Sequence, residues 1–176
     1  KMKDVVDNLR CDLYYTETYV NQQTDKICDI MCENGFIIRN PDDTFILTAL
    51  GNVSSNIAEI HPLVLSELMI KWQYFDKFST EQLIGLFSCF TDVKVQDDVR
   101  IHTLDIEDLF LEASIKSIAI HYDKYLDLEQ DQQINTGIDY TGAIIYDMIE
   151  FSMRWCECKN EVECKAFIQN DVYNKS

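Results

Sequence analysis

Two consecutive apolar stripes with well-marked ends, lying between Leu47 and Phe90, constrain the fold more than any other part of the chain. Leu65, Leu68, Met69, Trp72 and Phe75 recur at intervals of three and four, and Pro62 stands at a first helical position, where its missing N–H is not needed. The spacing predicts a helix from Pro62 to Tyr74. Ser79 stands three residues before Gln82, a capping box in which each side chain satisfies the other's backbone N–H, and Leu83, Leu86, Phe87 and Phe90 continue as the next stripe. A second helix therefore begins near Thr80, and the apolar residues of both, Trp72 and Phe87 included, read as core.

The chain of 176 residues is long enough to bury a sizeable core, and it carries only five Gly and two Pro. Few punctuation points favour helices joined by short polar loops over a many-turned β architecture. The formal charge is −16, with 31 acids against 15 bases. Neutralising phosphates requires Lys and Arg on the contacting surface, so the chain alone is expected to bind RNA or DNA weakly. The seven Cys, at 11, 28, 32, 89, 156, 158 and 164, form an odd set with no C-x2-C pair. With no run of eighteen apolar residues and no signal sequence, they read as free thiols in a reducing, intracellular setting, nucleus or cytoplasm, rather than as a disulfide framework. A structural zinc site is the minor alternative.

From the first residue, Val5, Val6, Leu9, Leu13 and Tyr14 predict a helix to about Val20, and Ile27, Ile30 and Met31 predict a second from Asn21 to Asn34 with Thr24 as its N-cap. Asn34-Gly35 supplies a left-handed terminus. Phe36–Arg39 and Thr44–Thr48 then read as two strands around the turn cluster Asn40-Pro41-Asp42-Asp43. Helix followed by hairpin is how the second half of a winged-helix module reads, the hairpin being the wing; a bare helix and hairpin capping a helical domain is the plainer alternative. A short helix over Asn52–Ile57 is expected next. Between Asp97 and Asp131, Ile106, Leu109, Phe110, Ala113, Ser117 and Ile120 form one stripe and Leu111, Ile115, Ile118, Tyr122 and Tyr125 another, which predicts a long helix packed on both sides at the centre of a bundle. Thr141 to about Glu157 is expected as a helix with Ile144, Met148, Phe151 and Trp155 on one face, and Glu161–Gln169 as a last short one.

No catalytic constellation emerges. There is no phosphate loop of the G-x-x-x-x-G-K-[ST] kind and no D-E-x-[DH] box, so these residues cannot by themselves hydrolyse a nucleotide. His61, before Pro62, reads as a cap or surface group, His121 as a structural histidine beside an apolar face, and His102 as a loop residue. Cys89 falls in an apolar face and reads as an inert core thiol.

Within Leu47–Phe90 the chain resembles the C-terminal DSHCT domain of the Ski-family DExH RNA helicases. The residues that carry the resemblance are Leu47-Thr48, Gly51, Val53 and Ile57; then Leu65-Ser66-Glu67-Leu68 for an L-[ST]-E-L core; then Phe75, Ser79-Thr80-Glu81-Gln82-Leu83 and Leu86-Phe87-Ser88-Cys89-Phe90. The resemblance is close from Phe36 to Phe90 and looser over the later helices, through their order and Trp155. Ser54 replaces the family's usual Ala, and the connection before Phe75 is one residue longer. Val172-Tyr173-Asn174-Lys175-Ser176 resembles the family's V-[FY]-E-G-S segment with Glu and Gly replaced.

What the resemblance implies is a mainly α fold: residues 1–50 as the end of a winged-helix domain and 51–176 as an antiparallel helical bundle, truncated at its C-terminus. The expected function is that of a non-catalytic accessory region of an ATP-dependent RNA helicase. Its partners are the upstream motor domains in cis and, through the full-length protein, RNA. ATP and Mg belong to that longer protein, and no cofactor or metal to this part. Arg154, Lys159, Lys165 and Lys175 are the candidate nucleic-acid path. An acidic winged-helix and helical-bundle module that binds a basic protein and has no motor is the alternative. No membrane contact is expected, and the lean Gly and Pro usage with many Asp, Asn and Ile suits an AT-rich genome, as of a parasite or a large DNA virus.

Overall fold

The computed structural model describes residues 2–93, 96, 98 and 100–174, with the side chains of 2–4 and 170–174 set aside. Among them are seven helices and one two-stranded antiparallel sheet. The helices are α1 (Met2–Glu33), α2 (Ala49–Ser54), α3 (Pro62–Lys71), α4 (Thr80–Ser88), α5 (Leu109–Gln132), α6 (Ile149–Cys156) and α7 (Glu161–Asn174), and the strands β1 (Ile37–Arg39) and β2 (Phe45–Leu47). The chain forms two compact units, one of Lys1–Glu67 with Tyr122–Ile138 and the other of Leu68–His121 with Asp139–Ser176. These units interleave along the chain; the boundary at Leu50 is a division by resemblance, a different criterion.

In the first unit, α1 is one helix where two were expected. The Thr24 hydroxyl donates to the Val20 carbonyl at 2.9 Å, the helix-interior use of a threonine, so it caps nothing. The helix ends as Asn34-Gly35 requires. Gly35 has φ +77°, its N–H donates to the Cys32 carbonyl and the Phe36 N–H donates to the Met31 carbonyl, the paired bonds of a Schellman terminus. That reversal places Phe36 fully buried and starts the hairpin, in which Ile37, Ile38 and Arg39 face Leu47, Ile46 and Phe45. Asp42 closes the turn by accepting from the Thr44 N–H and hydroxyl.

Thr48 ends the hairpin and starts the next helix, since its hydroxyl donates to the Gly35 carbonyl at 2.7 Å and accepts from the Gly51 N–H at 3.1 Å. This cap moves α2 three residues ahead of the expected Asn52. A Cβ on Gly51 would collide with the Phe36 carbonyl oxygen, so the helix can approach the hairpin this closely only with glycine there. The C-terminal half of α5 belongs to the same unit. Gln133 takes φ +52° and the Ile134 N–H reaches the Glu129 carbonyl at 2.8 Å, while Lys26 and Gln23 of α1 donate to the Gln132 and Gln133 carbonyls. A cation and an amide thus satisfy acceptors that a helix end leaves open.

In the second unit the expected capping box forms in full: the Ser79 hydroxyl accepts from the Gln82 N–H and the Gln82 carboxamide oxygen accepts from the Ser79 N–H. The other end of that carboxamide donates to Asp108 at 2.7 Å, and Asp108 in turn caps α5 by accepting from the Phe110 and Leu111 N–H groups. One side chain therefore ties two helix starts together, and these bonds hold the Asp108 carboxyl below its ordinary range, the Gln82 bond most. Gly85 brings α4 against Leu111 and Met153, and the Ile145 N–H donates to the Cys89 carbonyl.

Several expected elements are corrected. The long helix starts only at Leu109, because Asp108 caps it, and it buries one face: Leu111, Ile115, Ile118, Tyr122 and Tyr125 are buried, whereas Leu109 and Ile120 of the other stripe are 75% and 65% exposed. It is not packed on both sides. The helix expected from Thr141 starts at Ile149, after an Asp139 turn that accepts from the Thr141 and Gly142 N–H groups, and it buries Ile149 while Trp155 stays largely exposed. The helix from Pro62 stops at Lys71, followed by left-handed Gln73, Tyr74 and Phe75. Phe87 is exposed and Trp72 half-buried, so neither is the core residue expected of it. The last helix runs past Gln169 to Asn174, and Asp97, Lys175 and Ser176 lie outside the described residues.

Replacing Leu111 by Ala is expected to cost about 2–5 kcal/mol through the cavity it leaves, and Leu109→Ala less than about 0.5 kcal/mol. Urea unfolding of both variants measures the contrast, and equal losses would contradict one-sided burial. Gly51→Ala should lower stability by about 1–3 kcal/mol, the ordinary penalty for overpacking, read from the midpoint of the same urea curves.

Candidate functional site

A connected polar cluster lies in the first unit around the start of α3. His61 contributes its carbonyl to the Leu65 N–H, so its backbone caps α3, but its ring is buried, in contrast to a surface reading. The ring lies 5.5 Å from that of Tyr122, edge-on, and 5.1 Å from that of Tyr125. The Tyr122 hydroxyl accepts from the His61 N–H, the Tyr125 hydroxyl donates to Glu67 at 3.0 Å, and Lys124 donates to both Glu67 oxygens. Burial pushes the His61 ring below the ordinary histidine range, against the opposite pull of Glu129 and Glu67. Burial raises the Tyr122 hydroxyl. A neutral imidazole between two phenols is a packed structural group.

A polar recess in the same unit is lined by Asp25, Asp29, Arg39, Asp43 and Phe45. Arg39 pairs with Asp29 at 3.1 Å and lies over the Phe45 ring at 5.1 Å, which fastens the hairpin to α1. Burial raises the nearby Cys28 thiol despite Arg39.

The second unit carries an aromatic cluster in which Trp72, Phe75, Phe78, Phe87 and Phe110 stand in a chain of ring contacts 4.8–5.9 Å apart. Phe75 enters this cluster from the left-handed run Gln73–Phe75. On the other side of the sequence, α6 and α7 meet through Phe151 and Phe167 at 5.1 Å, with the Arg154 guanidinium over Phe167 at 5.0 Å.

Of the bases expected to face nucleic acid, Arg154 is thus stacked on an aromatic ring and Lys165 pairs with Glu161 one turn earlier on α7. Lys159 is exposed in the turn before α7, where its N–H donates to Glu163, and Lys175 lies outside the described residues. Glu157, Glu161 and Glu163 interleave with them, so they make no unbroken basic surface.

The other sequence candidates fall into structural roles. The His121 Nδ1–H donates to the Ser117 carbonyl at 2.7 Å, His102 is an exposed loop residue, and Cys89 is fully buried with its thiol pushed up to about 12 by burial. Among the described residues no three metal-ligating side chains converge and no helix is long and apolar enough to cross a membrane. The burial of His61 and the double use of Gln82 escape sequence reasoning, since both depend on residues far along the chain. No protein-family model matches the chain, and no curated protein matches it.

Because the folded chain holds His61 neutral, the unfolded chain takes up its proton first as pH falls. Stability is therefore expected to be full above about 6.5, the ordinary histidine value, and to decline as pH falls from there through the lowered folded value. Chemical denaturation across this window should show that decline, and His61→Phe should flatten it relative to the parent chain.

Proposed function

We propose that the chain is the non-catalytic C-terminal accessory region of an ATP-dependent RNA helicase of the Ski-like DExH group. In this reading the end of α1 and the β1–β2 hairpin close a winged-helix domain, and α2 to α7 make the helical bundle that follows. The region braces the motor domains and shapes the channel through which they draw RNA. ATP and Mg are held by those motor domains, and the protein works inside the cell.

The observation that carries this reading is where the residues of the resemblance sit. Thr48 bonds back to the Gly35 carbonyl and Gly51 lets α2 approach the Phe36 carbonyl, and Ser79 and Gln82 set the starts of two helices. Leu65, Leu68, Leu86 and Cys89 are buried, and Ser66 is buried with its hydroxyl donated to the Pro62 carbonyl. Ser54, standing for the family's Ala, is buried. These positions support the reading because the cap, close-approach and buried residues of the resemblance fall where the fold uses them, although Leu47 and Phe87 of the same pattern are exposed. Arg154, Lys159, Lys165 and Lys175 contribute at most the margin of the RNA path in this reading, because a chain of charge −16 gains little from phosphate neutralisation.

The isolated chain should release no phosphate from ATP in a malachite-green assay and should bind single-stranded RNA more weakly than about 1 µM at physiological salt, by anisotropy, as the counterion argument requires. Turnover by this chain, or tighter binding, would sink the proposal. The gene gives a further test: the reading frame upstream should encode a phosphate loop and a D-E-x-[DH] box, and a frame lacking both would favour the acidic protein-binding module.

A further inference from the structure

The sequence contains a single Asn-Gly dipeptide, Asn34-Gly35, and the fold sets it at the junction of α1 and the hairpin. Glycine puts no side chain beside its own nitrogen, so the peptide nitrogen after Asn34 is the least hindered nucleophile that any asparagine in the chain faces. Its target is the side-chain carbonyl carbon one residue back. Attack there closes a five-membered ring, and no reactant beyond water is needed.

In the folded chain both reacting groups are engaged. The Gly35 N–H donates to the Cys32 carbonyl at 3.1 Å, and the Asn34 carboxamide donates through Nδ2 to the Ile30 carbonyl at 2.8 Å, which holds it against the preceding turn. The surrounding bonds fix the backbone as well. The Phe36 N–H donates to the Met31 carbonyl at 2.8 Å, the Thr48 hydroxyl to the Gly35 carbonyl at 2.7 Å and the Thr48 N–H to the Phe36 carbonyl at 3.0 Å, with the Phe36 side chain fully buried. Yet the site stands at the surface, since Gly35 is exposed and a Cβ built on it would meet nothing within 4 Å. Water has access, and the bonded geometry is what keeps the ring from closing.

We infer that Asn34-Gly35 is a latent self-modification site, a deamidation switch that the α1 terminus holds shut and that opening of the first unit releases. Once the bonds part, the Gly35 nitrogen gives its proton to water or hydroxide and attacks the Asn34 Cγ. The N–Cγ bond forms, the Cγ–Nδ2 bond breaks, and Nδ2 takes up a proton and leaves as ammonia. The product is a succinimide. Water then adds to one of its two carbonyls: cleavage at Cγ gives aspartate, and cleavage at the Asn34 main-chain carbonyl gives isoaspartate, with the backbone routed through the former side chain. One amide and one water become one acid and one ammonia, with no change of oxidation state.

Neither product fits the site it came from. Aspartate loses the amide donor to Ile30 and sets a carboxylate beside carbonyls at the negative end of a helix. Isoaspartate inserts an extra carbon into the backbone and carries the Gly35 and Phe36 N–H groups out of register with the Cys32 and Met31 carbonyls. Conversion therefore hinders refolding, and the switch runs one way.

The test is to hold the full chain, native and in guanidinium chloride, at one mildly alkaline pH and one temperature, and to follow Asn34 by peptide mass spectrometry and isoaspartyl methyltransferase labelling. In the unfolded chain Asn34 is expected to convert ahead of every other asparagine. In the native chain conversion should be on the order of tenfold or more slower, because reaction follows the fraction of molecules that are open. Thr48→Ala, which removes the bond to the Gly35 carbonyl, should speed native conversion several-fold and leave the unfolded rate unchanged. The purified isoaspartyl chain should melt several degrees below the parent. The inference is overturned if native and unfolded chains convert at equal rates, if another asparagine converts first in the unfolded chain, if Thr48→Ala leaves the native rate unchanged, or if the isoaspartyl chain melts as the parent does. Because it depends on the α1 terminus and its bonds alone, its outcome is independent of the helicase reading.

Discussion

The one-sided burial of α5 is the constraint from which most of the fold follows. Leu111, Ile115 and Ile118 are core residues of one compact unit and Tyr122 and Tyr125 of the other, a continuous stripe at spacings of four and three along a single helix. Each aliphatic side chain removed from water contributes about 1.5–3 kcal/mol, so this stripe outweighs any surface ion pair on the same helix. The remaining circumference carries Glu112, Asp123, Asp127 and Glu129, whose charges must stay hydrated. A helix so divided cannot be packed on both sides. Its register is held at both ends: Asp108 caps the start and is itself bonded to Gln82, while Lys26 and Gln23 satisfy carbonyls at the finish.

Small residues make the close approaches that the large ones then seal. Gly51 lets α2 reach the Phe36 carbonyl, and Gly85 lets α4 meet Leu111 and Met153. Ser66, Ser88 and Ser114 are buried as well, and each returns its hydroxyl to a carbonyl three or four residues back in its own helix, at 2.7 or 2.8 Å. A buried hydroxyl satisfied in this way costs little and leaves nearly the volume of an alanine.

Features set by near neighbours are legible in the sequence. The Ser79–Gln82 box, the left-handed Gly35, the Asn40–Asp43 turn and the Pro62 start depend on residues within four positions, and all form as expected. Features set at a distance are not. Periodicity shows two stripes on α5 but not which one finds a partner, and it counts Ile106, Ile144 and Ile145 as helical although caps at Asp108 and the Asp139 turn delay both helices. Thr24 is ambiguous for the same reason, because a threonine hydroxyl caps a helix or bonds back to the preceding turn with equal ease, and only the continuity of α1 decides. The site follows the same division. Charge and exposure of Lys159 and Lys165 are local and readable, whereas the burial of His61 needs Tyr122 and Tyr125 some sixty positions away.

This division bears on how the proposed role is to be understood. A motif made of caps, close approaches and core leucines preserves a shape, and in the proposed role shape is what the region would lend to a motor. The burial of Cys89 and His61 removes the two groups most easily mistaken for chemistry, since the first is held protonated and the second neutral near pH 7 by the same cost of placing charge away from water. The bases of α6 and α7 are likewise spoken for, Arg154 by Phe167 and Lys165 by Glu161. In the proposed role such a region would act through its rigidity, which the Gln82–Asp108 bond lends to α4 and α5 and the close approach at Gly51 lends to α2 and the hairpin.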